Sequence, residues 1–153
     1  YEDIMIFSKC GAVASAKPPM RYFPQGIIPV NLKVTTKPIN YLGDKKSDEK
    51  VSYTQEEANF PRNVIQFARE TDLYHPTQKP IVLMEYIVST YSKRGDLVLD
   101  FTSGSGSTLL ACEVLNRRWI GIELTDKYCE VIKKRIQKGI QLKLQFEYDN
   151  ENT

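Results

Sequence analysis

The sequence is poor in the residues that build metal sites and disulfide frameworks. It contains one histidine and three cysteines, and no two cysteines have a CxxC spacing. A protein zinc site needs about four such ligands, so the composition argues against a bound metal. An odd number of well-separated cysteines is typical of reduced thiols, which favours the cytoplasm over secretion.

Long apolar runs are also missing. No stretch approaches the roughly 20 apolar residues of a membrane-spanning helix, so we expect no membrane partner. The opening residues, Tyr1–Cys10, lack the cleavage pattern of a signal peptide. The balance of 41% hydrophobic and 26% charged residues is that of one globular domain. Because residue 1 is not Met, we expect the 153 residues to be a piece of a longer chain.

Positive charge is concentrated in one part of the chain, although the net charge is only +2. Between Lys9 and Lys46 there are seven basic residues and one acidic residue, Asp44, which gives this stretch a charge of +6. Such a stretch can neutralise the phosphates of a nucleic acid. Chance clustering on a solvated surface explains the charge equally well, so both interpretations stay open.

Strand and helix patterns alternate in the second half of the chain. Strands are predicted at three short apolar runs: Ile4–Phe7, Leu97–Asp100 and Trp119–Glu123. Helices are predicted at Pro80–Lys93, Leu109–Asn116 and Thr125–Lys138. The order implies a right-handed crossover in a parallel sheet. Residues 10–61 are predicted to be mostly irregular, and the apolar alternation at 140–148 predicts an antiparallel edge strand.

A glycine-rich turn and a carboxylate follow two consecutive strands. The turn, Asp100–Thr108, opens a helix, and Glu123 ends the next strand 19 residues after Gly104. Glycines let a ligand approach the backbone, and a carboxylate in this position can accept both ribose hydroxyls of an adenosine. The combination predicts a nucleoside-containing cofactor. A tight turn with packing glycines is the simpler alternative.

Charge favours one class of nucleoside cofactor. A dinucleotide site usually has a third glycine where Leu109 stands, and Asp100 would repel a pyrophosphate. S-Adenosylmethionine has no phosphate and carries an ammonium and a sulfonium, which a carboxylate favours. The segment His75–Pro80 (HPTQKP) precedes a helix, where polar side chains and free N–H groups suit the methionine carboxylate. A plain helix cap explains that segment as well.

These motifs together resemble the DNA amino-methyltransferases, the adenine-N6 and cytosine-N4 enzymes, in their circularly permuted beta class. HPTQKP is a signature of that family, Asp100–Thr108 is similar to its D-x-F-x-G-S-G-T turn, and Trp119–Leu124 is similar to its strand with the ribose-binding acid. Shorter similarities occur at Tyr1–Lys9, Tyr22–Gly26 and Asn59–Ile65. Thr102 departs from the frequent Phe of the turn.

The resemblance implies an α/β, Rossmann-like S-adenosylmethionine-dependent methyltransferase fold, with a partial parallel sheet and an antiparallel edge strand. It implies an edge strand at 1–9, a loop-rich basic target-recognition region at 10–62 and a cofactor-binding subdomain at 63–153. The implied cofactor-binding residues are Thr77, Gln78, Lys79, Asp100, Thr102, Gly104, Ser105, Gly106 and Glu123. The residues expected to contact double-stranded DNA are Arg21, Lys33, Lys37, Lys45, Lys46 and Arg62.

The family's catalytic motif is not found in the sequence. That motif, an Asp, Asn or Ser followed by two prolines and an aromatic residue, holds and stacks the extruded target base. Pro18-Pro19 lies between Lys17 and Met20, which offer neither an acceptor nor a ring. We therefore expect no catalytic residue in this chain and a motif upstream of Tyr1.

Two hypotheses about the whole protein stay open. The chain is either a portion of a site-specific DNA methyltransferase, or a non-catalytic cofactor- or DNA-binding module completed by another polypeptide. A homodimer and a complementing N-terminal polypeptide are both compatible with the sequence. Either protein would act in the cytoplasm of a bacterium, or in a bacterial host if it is a phage protein. The sequence does not distinguish adenine from cytosine as the target.

Overall fold

The computed structural model describes residues 3–7, 20–36 and 50–151 of the chain. These residues belong to two compact units, Tyr1–Phe23 with Gln66–Thr153, and Pro24–Ile65. Over the described residues, the first unit carries a two-stranded parallel sheet and three helices. The second unit carries a two-stranded antiparallel sheet.

The second unit is a β-hairpin. Strand β1 (Ile28–Thr36) pairs antiparallel with β2 (Val51–Ala58), and the register is irregular between Pro29 and Leu32. The prediction of a mostly irregular stretch at 10–61 is therefore wrong for both strands. A strand is recognised by apolar residues on one buried face, whereas most residues of this hairpin are exposed. The period-two signal is nevertheless present in β1, where Val30, Leu32 and Val34 alternate with polar residues. The Pro, Gly, Lys and Asn content of the surrounding stretch favours a loop instead.

The first unit contains the predicted parallel crossover. Strand β3 (Leu97–Asp100) pairs in parallel with β4 (Arg118–Gly121), and helix α2 (Ser107–Val114) connects them. Helix α1 (Ile81–Tyr91) precedes β3, and helix α3 (Asp126–Glu151) follows β4. This order confirms the predicted strand–helix–strand–helix unit. None of the described helices is long and apolar enough to cross a membrane.

The core of this unit lies between the three helices and one face of the sheet. Its buried apolar residues are Val88 of α1, Leu109, Ala111 and Cys112 of α2, and Ile136 of α3. Trp119 of β4 donates its indole N–H to the Glu113 carboxylate of α2 at 2.7 Å. Gly121 lets α2 approach the sheet, because a Cβ at that position would lie 2.4 Å from Leu109 Cδ1. The close approach fixes where the β3–α2 turn lies.

The opposite face of the β3–β4 pair is apolar and exposed. Leu99 and Ile120 lie side by side on it, 58% and 48% exposed, and Leu97 and Ile122 are also exposed. Parallel sheets in α/β proteins usually have both faces covered. Within the described part of the chain, this face has no such cover.

Two predicted strands are wrong. Residues 3–7, the described part of the strand predicted at 1–9, pair with no strand in the described residues, and Ile4, Met5, Ile6 and Phe7 are exposed. An apolar run becomes a strand only beside a hydrogen-bonding neighbour. At 140–148 the chain is helical, because α3 continues to Glu151.

Helix formers explain why α3 continues. Leu, Lys, Gln and Glu, which dominate 141–147, have high helix propensity, and that preference outweighs the period-two pattern. Gly139 does not end the helix. A Cβ there would lie 2.5 Å from Leu110 Cδ1, so this glycine lets α3 pack closely on α2.

Candidate cofactor site

A pocket of about 510 Å³ lies at the carboxyl ends of β3 and β4, within the first unit. That volume is in the range of small-molecule sites. Its walls come from the β3–α2 turn, from Glu123 after β4, and from residues 75–79 before α1, with Met84 of α1. The structure thus brings together the motifs that the sequence predicted as one site. The lining residues are His75, Thr77, Gln78, Lys79, Met84, Asp100, Thr102, Ser103, Gly104, Ser105, Ser107, Thr108 and Glu123.

The β3–α2 turn is built around the end of strand β3. Thr102 N–H donates to Asp100 Oδ1 at 3.1 Å, and the Ser103 hydroxyl donates to the Asp100 carbonyl at 2.9 Å. Gly104 has a φ of +53°, in the left-handed region where glycine is favoured. These bonds hold the turn open towards the pocket.

Gly106, predicted to bind the cofactor, packs against α3. It does not line the pocket. Its φ is +78°, and a Cβ on it would lie 2.9 Å from Ile132 Cγ1 of α3. Glycine at this position therefore allows the turn to pack on α3.

Glu123 is held as an ionised acceptor at the mouth of the turn. Its carboxylate accepts the N–H of Gly104 at 2.8 Å and the N–H of Thr125 at 2.9 Å. These hydrogen bonds lower the pKa of Glu123, and the bond from Thr125 has a larger effect than the bond from Gly104. Each carboxylate oxygen has a further lone-pair site for a hydroxyl donor. The arrangement suits a ligand with two neighbouring hydroxyls.

The segment 75–79 is folded onto itself and onto α3. Thr77 N–H donates to His75 Nδ1 at 3.1 Å, and Gln78 N–H donates to the His75 carbonyl at 3.1 Å. The His75 ring packs against Tyr128 of α3 with ring centroids 4.4 Å apart. His75 is therefore anchored by its Nδ1 and its ring, and Thr77 and Lys79 stand beside it in the pocket wall.

Gln78 was predicted to hold the cofactor, but its amide group is used within the protein. Its Oε1 accepts the Tyr74 N–H at 3.0 Å, and its Nε2 donates to the Asp72 carbonyl at 3.1 Å and to Glu70. The side chain is nearly buried. Ile81 N–H, one of the helix-start groups predicted to receive a carboxylate, donates to Glu70 at 2.7 Å. Both groups therefore shape the wall of the pocket.

Three of the six predicted DNA-contacting residues are described, and they are divided between the two units. Arg21 belongs to the first unit and pairs with Asp96 at 2.7 Å. Together with the Lys93 N–H bond, this guanidinium lowers the pKa of Asp96. Lys33 on β1 and Arg62 belong to the second unit, and both are exposed. Lys37, Lys45 and Lys46 lie outside the described residues.

Several residues of the site were missed from the sequence. Ser103, Ser107 and Thr108 lie in the recognised turn, so its composition could have indicated them. Arg135 had no such signal. It follows Lys133-Lys134 in a basic run, yet it is buried and donates to the Ser105 carbonyl at 2.6 Å.

Comparison with known proteins identifies the family. A family model described as DNA methylase, of the N6/N4 type, matches residues 1–134. The chain belongs to this family. The match confirms the predicted DNA amino-methyltransferase resemblance, and the parallel crossover agrees with the predicted Rossmann-like α/β fold.

Individual DNA methylases are similar over part of the chain. The Type II methyltransferase M2.LlaDCHI of Lactococcus lactis subsp. cremoris is 42% identical over 65 residues, which is 42% of this chain and 24% of that protein. M.HpaI of Haemophilus parainfluenzae is 45% identical over 62 residues, 40% of this chain and 20% of that protein. The chain thus covers a quarter or less of the length of these two relatives.

Two solved structures are similar to part of the chain. The complex of M1.HpyAVI with SAM is 35% identical, with a TM-score of 0.43, over 57% of this chain and 48% of that chain. The cytosine-N4-specific PvuII DNA methyltransferase is 26% identical, with a TM-score of 0.47, over 50% of this chain and 32% of that chain.

Proposed function

We propose that the chain binds S-adenosylmethionine in the pocket at the ends of β3 and β4. One observation carries this proposal: the ionised Glu123 carboxylate, the β3–α2 turn and residues 75–79 all line the same cavity. Glu123 suits the two ribose hydroxyls, and Asp100 places a second carboxylate where a cationic cofactor is favoured over a phosphate. Thr77 and Lys79 offer polar groups for the methionine carboxylate.

In this proposal the chain is the cofactor-binding portion, with part of the DNA-recognition surface, of a DNA methyltransferase that modifies adenine N6 or cytosine N4. The bound cofactor supplies an electrophilic methyl group. The residues of the chain bind it and orient it towards an extruded base. The protein would act in the bacterial cytoplasm, where its DNA substrate lies.

We further propose that a region outside these 153 residues supplies the catalytic motif, either in the same polypeptide or in another. Three observations support this: the sequence lacks the motif, the two relatives compared are several times longer than the matched segments, and the Leu99–Ile120 face of the sheet is exposed. A second polypeptide that covered this face would bury several apolar side chains, at about 25 cal/mol per Å² of apolar surface.

We expect the chain alone to transfer no methyl group to DNA, and the chain supplied with the motif-bearing region to do so. The measurement is transfer of labelled methyl groups from S-adenosylmethionine to mixed-sequence duplex DNA. Comparable activity from the chain alone would contradict a catalytic motif located elsewhere. Cofactor binding without transfer in either sample would favour the alternative function, a non-catalytic binding module.

Phosphate binding by the basic stretch leads to a second prediction. Replacing Lys33, Lys37, Lys45 and Lys46 with Gln should flatten the slope of log affinity against log salt by about 0.9 for each phosphate that the variant no longer neutralises. The matched control replaces four exposed lysines of α3, Lys127, Lys133, Lys134 and Lys138. Both variants have the same net charge. Equal slopes would therefore show that the four lysines of the basic stretch contact no more phosphates than ordinary surface lysines do.

A further inference from the structure

Arg135 is a buried cation behind the pocket. The residue is 8% exposed, and its guanidinium donates to the Ser105 carbonyl at 2.6 Å and lies 3.4 Å from the Ser107 hydroxyl. It also lies 3.7 Å from the Glu70 carboxylate and packs over the Tyr74 ring at 5.1 Å. A buried charge is costly unless it is paired and hydrogen-bonded, so these contacts account for an arginine in this position.

Glu70 connects Arg135 to the pocket wall that residues 75–79 form. One oxygen of its carboxylate accepts the Ile81 N–H at 2.7 Å, and the other accepts the Gln78 side-chain amide. Glu70 thereby holds the end of the 75–79 segment at the start of α1. Arg135 holds the β3–α2 turn through Ser105. The ion pair between the two residues therefore links the two walls of the pocket.

We propose that Arg135 and Glu70 form a clamp that sets the separation of the two pocket walls. Neither residue lines the pocket, so both are positioning residues. The inference rests on the proposed function, because S-adenosylmethionine would contact both walls at once. Adenosine alone would need only the wall that carries Glu123 and the turn. Loss of the clamp should then weaken the binding of S-adenosylmethionine more than the binding of adenosine.

The test compares the dissociation constants of S-adenosylmethionine and adenosine, measured by calorimetry on the full chain. Arg135→Gln should weaken the binding of S-adenosylmethionine about tenfold, which is within the usual range for coupling through a contact network. It should weaken the binding of adenosine less than about twofold. Arg135→Lys keeps the charge but not the forked donors, and should lie between wild type and Gln. The control is Lys134→Gln, which removes the neighbouring exposed charge and should change neither constant.

A second variant covers the case in which Arg135→Gln does not fold. Glu70→Gln keeps one oxygen to accept the Ile81 N–H, but it loses both the charge that pairs with Arg135 and the oxygen that accepts the Gln78 amide. Both losses loosen the link between the walls, so the same selective loss is expected. Equal weakening of both ligands, or unfolding of both variants, would overturn the clamp and leave a purely structural role. If the wild-type chain binds neither ligand, the proposed cofactor function itself fails. If it binds both and the variants match it, only the clamp fails.

Discussion

Glu123→Ala is expected to weaken S-adenosylmethionine binding by about 1–3 kcal/mol, roughly 5- to 150-fold in Kd. Two ribose hydroxyls would lose a charged acceptor. The Gly104 and Thr125 N–H groups would lose the same partner, so the turn would also become less well fixed. Calorimetry on wild type and variant measures the difference.

The control for this experiment is Glu130→Ala. Glu130 is an exposed carboxylate on α3 whose described partner is Lys133, and it is absent from the pocket lining. Its removal should leave the affinity unchanged. If Glu123→Ala and Glu130→Ala bind with equal affinity, Glu123 does not hold the ribose.

Gly106→Ala should lower the free energy of unfolding by about 2–5 kcal/mol. An L-residue with a φ near +78° costs about 1–2 kcal/mol. The added Cβ, 2.9 Å from Ile132 Cγ1, contributes overpacking of about 1–3 kcal/mol. Urea unfolding followed by circular dichroism measures the change.

Gly95→Ala separates the two causes. Gly95 has a φ of +84°, but nothing lies within 4 Å of a Cβ built on it. Only the backbone cost of about 1–2 kcal/mol applies there. Equal losses for the two variants would show that Gly106 is required for its backbone conformation and not for packing against α3.

The part of the fold that carries the cofactor-site motifs could be predicted from the sequence because its signals are local. The apolar run at 97–100, the glycine turn after it and the second strand before Glu123 follow one another within a short stretch. The order of these elements in the sequence therefore predicts that Asp100 and Glu123 lie at the same edge of a sheet. The pocket confirms that these carboxylates line one cavity with residues 75–79.

The remaining features depend on contacts that the sequence does not reveal. Strand β1 is an exception, because Val30, Leu32 and Val34 alternate with polar residues; the Pro- and Gly-containing stretch around it favours a loop. At 140–148 the alternation is present, but helix propensity and the close packing of Gly139 on Leu110 decide the structure. The amide of Gln78 bonds to residues 70–74 just before it, which no sequence pattern indicated. Arg135 was missed because its partner Ser105 lies in another segment, and burial alone distinguishes Arg135 from Lys134.

The most direct test of cofactor binding is an experimental structure of the chain with S-adenosylmethionine. We predict the ribose hydroxyls within about 3.2 Å of the Glu123 carboxylate, which is ordinary hydrogen-bond distance, and the methionine carboxylate beside Thr77 and Lys79. Cofactor bound elsewhere, or a pocket left empty at saturating cofactor, would contradict the site.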